Sequence, residues 1–72
     1  MDEFLVSMGW YKSGACGCSP QKYTWKNDSI ADTKIKVCPA RNNWELIEYD
    51  HVIMRGQSHS LQSQYNAKYT TT

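Results

Sequence analysis

The sequence predicts a small, mainly β domain of the α+β type: a three- to four-stranded antiparallel meander with a short C-terminal helix and an N-terminal arm. Three observations carry that expectation. Apolar and polar residues alternate with period two through KYTWKN, TKIKVC, WELIEY and HVIMR. The stretches between them, NDSIAD, PARNN and Asp50, have turn composition. Near the C-terminus Leu61, Tyr65 and Tyr69 recur at i, i+4 and i+8, the narrow stripe of a helix.

Taken in order, residues 1–20 form the arm and a Cys-Gly-Cys loop. Phe4, Leu5 and Met8 lie at helical spacing for one or two turns. A helix that short is unstable alone, so its apolar face must dock on the domain or on a neighbour. Gly14, Gly17 and Pro20 then break regular structure. Residues 21–56 are the meander. In its first strand Tyr23 and Trp25 oppose Lys22, Thr24 and Lys26; in its second, Ile35 and Val37 oppose Lys34 and Lys36. The pair reads as a hairpin with one apolar and one basic face. Trp44 to Tyr49 make a third strand and His51 to Arg55 a fourth, ended by Gly56. Residues 57–72 supply the short helix, with Ser58 or Ser60 as its cap, and a polar tail.

The second hairpin is apolar on both sides. Trp44 and Leu46 share one face and Ile47 and Tyr49 the other, while Val52 and Met54 oppose Ile53. One short helix cannot cover two faces of a sheet. Either a partner covers the second face or the N-terminal segment does.

Size and charge bound the possible functions. A chain of 72 residues is one domain that buries only about 60% of its unfolded surface, so it needs a staple or a partner. A net charge of +1 gives no long-range steering field. Asp2, Glu3 and the brief FLV run do not make an export signal, and no apolar segment is long enough for a membrane span. The expectation is synthesis in a reducing cytoplasm, with no membrane partner. Catalytic motifs are missing: there is no phosphate loop ending in Lys-Ser or Lys-Thr, no His-Glu-x-x-His and no paired acids. Asp50 and His51 adjoin in a turn, where turn chemistry explains them. The chain therefore reads as a non-enzyme.

The three cysteines allow more than one chemistry. Zinc thiolates usually come as Cys-x-x-Cys pairs, whereas Cys16 and Cys18 are separated by Gly17 alone. Strand register places Cys38 at the end of the sheet where this loop enters. It returns His59 to that end and leaves His51 at the other. A zinc site of Cys16, Cys18, Cys38 and His59 is thus geometrically open, and one including His51 is not. A disulfide from Cys38 to Cys16 or Cys18 would leave one thiol over. Free thiols, with no cofactor, are the favoured reading.

Lys22, Lys26, Lys34 and Lys36 are half of the eight Lys and Arg residues and share the basic face. Such a face can meet phosphates. Single-strand binders, however, stack bases on aromatics beside the basic groups, and Tyr23 and Trp25 lie on the other side. An acidic protein suits the patch as well, and nucleic acid is the less favoured partner.

The glycine-flanked Cys-Gly-Cys loop, followed by short strands in the manner of KYTWKN and TKIKVCP, resembles small proteins encoded by tailed bacteriophages. The resemblance spans residues 9–56. Proteins of that kind decorate or cement capsids or serve as minor virion components. It implies a virion accessory subunit, made in the host bacterial cytoplasm and bound in many copies to a larger shell, and carries over no catalytic residues. The residues themselves point to a structural or interaction protein. A marginal core and many aromatics suit an assembly subunit, which can also self-associate. Trp10, Trp44, Tyr49 and Tyr65 are the candidate partner contacts, although Trp25 and Trp44 also fit an ordinary core. The alternative is a small zinc-binding module touching nucleic acid through its lysine face.

Overall fold

Helix α1 (Asp2–Ser7) leads into a sheet of β1 (Tyr11–Ala15), β2 (Tyr23–Lys26), β3 (Thr33–Cys38), β4 (Asn43–Glu48) and β5 (His51–Gln57), and helix α2 (Leu61–Tyr69) closes the chain. The computed structural model describes residues 2–15, 17 and 21–69. The five strands follow one another in the order β1-β2-β3-β4-β5, all antiparallel. The mainly β meander with its C-terminal helix is therefore present, with one strand more than expected.

That extra strand is β1, in a stretch read from sequence as arm and loop. All five of its residues are exposed, so no apolar alternation marks them. Pairing with β2 makes the strand: Tyr11 faces Lys26, Lys12 faces Trp25, and a bulge follows before Gly14 faces Thr24. The helix ahead of it ends sooner than the apolar spacing suggests. Gly9, at φ +94°, takes the left-handed conformation that terminates helices. The Gly9 amide donates to the Val6 carbonyl (3.0 Å) and the Trp10 amide to the Leu5 carbonyl (2.9 Å). This is the Schellman arrangement, and its usual hydrophobic contact is between Leu5 and Trp10, both buried.

Both helices pack on the same face of the sheet. The core joins Leu5 and Trp10, Trp25 from β2, Ile35 and Val37 from β3, Trp44 and Leu46 from β4, and Leu61 and Tyr65 from α2. Tyr65 is the meeting point. Phe4 stands edge-on to its ring at 5.3 Å, Tyr69 lies 4.6 Å away, and the Trp10 indole N–H donates to its hydroxyl at 3.0 Å. Gly56 lets the start of the C-terminal helical segment come close to β5: a Cβ there would lie 2.7 Å from Ser60 Oγ and 3.4 Å from Gln64 Nε2 on α2. The expected serine caps are not made. Ser60 donates to the Gln57 carbonyl (2.8 Å), and the Ser58 hydroxyl is buried without a partner. Instead α2 continues from a 3-10 turn over Ser58–Ser60.

Because α1 joins α2 on one face, the described part of the N-terminal segment does not cover the second face, one of the two covers that the sequence left open. A fully buried aromatic pair also makes the core sensitive to loss of a single oxygen. Tyr65→Phe removes the acceptor of the Trp10 indole and leaves a buried donor unpaired, a loss of about 1–3 kcal/mol. The unfolding free energy should fall by that amount, read as a lower denaturant midpoint with an unchanged slope.

Candidate interaction surface

The uncovered face is built by residues that alternate with the core. Along one row Thr24, Lys36, Glu45 and Arg55 are successive cross-strand partners; along the next, Lys26, Lys34, Ile47 and Val52. Lys22, Lys26, Lys34 and Lys36 line a single open groove with Ser13, Gly14, Ala15 and Thr24. The lysine face expected from alternation is thus one continuous surface. Lys34, half-buried, lies 3.7 Å from the exposed Asp50, a solvent-screened pair of little energetic weight.

The β4–β5 end of this face is apolar and strained. Tyr49 and Asp50 form a two-residue hairpin turn with φ of 51° and 65°, the type I′ geometry that Asn-Gly normally fills. Its position is held by the Tyr49 amide, which donates to the Asp32 carbonyl at 2.9 Å. A tyrosine in the left-handed region costs about 1–3 kcal/mol. Its side chain recovers little by burial, being 69% exposed. Beside it Val52 and Ile53 are 46% and 42% exposed, and Ile53 is the extra residue where the β4–β5 register shifts. The turn also borders an open depression shared with Tyr11, Asp28 and Lys34. There the Tyr11 hydroxyl donates to Asp28 Oδ1 at 3.1 Å, and that bonded carboxylate holds the Tyr11 phenol above its usual pKa.

The four aromatic residues expected at a partner surface divide sharply. Only Tyr49 is exposed. Trp10, Trp44 and Tyr65 are core residues, a correction with a clear cause: their indole and phenol groups satisfy one another or the backbone inside the fold, as in Trp44 Nε1 donating to the Gln57 carbonyl at 2.9 Å. Val52 and Ile53 both belong to the exposed patch, although strict alternation put Val52 with Met54 opposite Ile53: the bulge at Ile53 sets Val52 beside Ile47 and leaves Met54 beside Leu46 against the core. Their exposure depends on which face the helices take.

For the metal reading, Cys16 and Cys18 lie outside the described residues. Cys38 is a buried free thiol at the end of β3, and His59 is exposed in the turn after β5. Register brings both to the end of the sheet where β1 ends and β2 begins, and His51 begins β5 at the opposite end. Among the described residues no three His, Cys, Asp or Glu side chains gather as a metal would require. No helix is long and apolar enough to cross a membrane.

The chain matches no protein-family model, and no curated protein or solved structure is significantly similar to it.

Two outcomes follow from this geometry. Replacing Tyr49 by Asn and Asp50 by Gly relieves the turn, and should raise stability by about 1–2 kcal/mol, read as an increase in Tm of several degrees. Separately, the Tyr69 phenol is pushed up to about 12 by burial, with the Glu48 carboxylate adding to it. The fold thus favours the neutral phenol. This contribution is complete below pH 10, the unfolded value, and is lost as pH rises from 10 toward 12. Tyr69→Phe should flatten the alkaline fall in denaturant midpoint between those values. At neutral pH it should leave stability undiminished, since the hydroxyl it removes is buried without a partner.

Proposed function

We propose that this chain is a non-enzymatic interaction subunit that docks on a larger protein assembly through the uncovered face of its sheet. The shell of a phage virion is the setting implied by the sequence resemblance. The observation that carries this reading is the exposed patch of Tyr49, Val52 and Ile53, displayed on a turn whose residues are poorly suited to it. A turn selected for stability alone would hold Asn-Gly. Strain kept at an exposed aromatic is typical of sites that bind, and tyrosine is enriched among the residues that dominate protein interfaces. With both helices on one side, nothing among the described residues shields the patch.

Tyr49 is the anchor, and Val52 and Ile53 supply the apolar area around it. The test is co-sedimentation of the chain with assembled particles produced by the genome that encodes it. The wild-type chain should sediment with the particles. Tyr49→Ser should weaken that association by at least about 30-fold, corresponding to about 2 kcal/mol for an anchoring aromatic. A folded wild-type chain that stays in the supernatant, or a Tyr49→Ser chain that sediments equally well, would overturn the reading.

A further inference from the structure

We infer that the lysine-lined groove at the β1–β3 side of the open face is a second, separate site that binds the phosphate backbone of duplex nucleic acid. Its cations are arranged at a cost to the isolated fold. Lys26 and Lys34 are direct cross-strand partners, and like charges so placed destabilise an antiparallel pair. Lys36 follows two residues along β3, roughly 7 Å further by the strand rise. Asp50 relieves only Lys34; Lys22, Lys26 and Lys36 have no ion-paired carboxylate among the described residues. Glu45, opposite Lys36 in register, bounds the row on its β4 side. An anion spanning the lysines removes their mutual repulsion.

The lining chooses between kinds of polyanion. Besides the lysines it presents the hydroxyl-bearing Ser13 and Thr24, and its largest apolar side chain is that of an alanine. Lysine and Ser/Thr hydroxyls are the usual partners of phosphate oxygens. Protein interfaces are instead dominated by aromatic or arginine anchors seated in pockets, and the groove has none. This favours phosphate over an acidic protein surface. Base stacking is absent from the site because Trp25 is buried on the helix-covered face, where Lys12 lies 4.6 Å from the Tyr23 ring and 5.5 Å from that of Trp25. The contacts are therefore to backbone, without sequence readout or a preference for single strands.

The test is a titration of the full chain with a random-sequence DNA duplex at several salt concentrations. Four lysine–phosphate contacts give a slope of log affinity against log salt of about −3.6. Raising salt from about 50 to about 200 mM then weakens binding roughly 100-fold. In the Lys22→Gln, Lys36→Gln double variant the slope should halve, and the same step should weaken binding only roughly 10-fold. Lys22→Gln alone, outside the strands, should reduce the slope by about 0.9 without disturbing the sheet. Lys68→Gln, on α2, should leave it unchanged. Four results would overturn the inference: no duplex binding at the lowest salt, an equal effect of Lys68→Gln, tighter binding to a single strand of the same length, or tighter binding to polyglutamate of matched charge.

Discussion

The hydrogen bond from the Trp10 indole to the Tyr65 hydroxyl joins residues 55 apart in sequence, and it fastens the two helices to each other over the apolar side of the sheet. Trp10 is placed by the Schellman turn that ends α1; Tyr65 is placed by the α2 stripe that begins at Leu61. Each helix is too short to persist alone. Their shared aromatic contact lets the two helices act as one covering layer. Phe4 and Tyr69 complete that layer around the Tyr65 ring. The ion pair between Lys68 and Glu48 at 3.2 Å also ties α2 to the end of β4.

Once both helices are committed to one face, the character of the other follows. The residues that alternate with the core face away from it; Cys38 and Ile47 among them are buried, and the rest form two unlike surfaces. Over β2 and β3 the exposed surface is mainly lysine, with Thr24 among them, and over the β4–β5 turn it is Tyr49, Val52 and Ile53. The separation is what the two proposed contacts would use, an apolar one anchored by a tyrosine and an electrostatic one to phosphate. Each draws on an unfavourable local feature of the free fold, a left-handed tyrosine in the first case and opposed lysines in the second. Local sequence and global fold disagree most at such places, and binding is a common reason.

Much of the architecture was legible because strand period and turn composition are local signals. The alternation in TKIKVC set Ile35 and Val37 against Lys34 and Lys36, and the structure keeps that division. NDSIAD, PARNN and Asp50 are turns, and Leu61, Tyr65 and Tyr69 lie on one helix. The lysine groove was readable for the same reason, since register follows from two adjacent alternating strands. β1 was not readable. An exposed edge strand has no apolar period, and its only structural signature is the partner strand beside it. The early stop of α1 is carried by Gly9, one glycine whose left-handed φ becomes visible only with the backbone.

The partner-contact aromatics mark the boundary between the two kinds of knowledge. By itself the sequence determined the meander, its turns, the C-terminal helix and the sidedness of β2, β3 and β4, because those depend on residues within a few positions of one another. It did not determine which face the helices cover, and so it did not separate Trp10, Trp44 and Tyr65 from Tyr49. An indole or phenol has enough apolar surface for a core and enough polarity for an interface. Only the tertiary structure, by pairing the Trp10 indole with Tyr65 and the Trp44 indole with a backbone carbonyl, placed three of these aromatics inside and left Tyr49 on the surface.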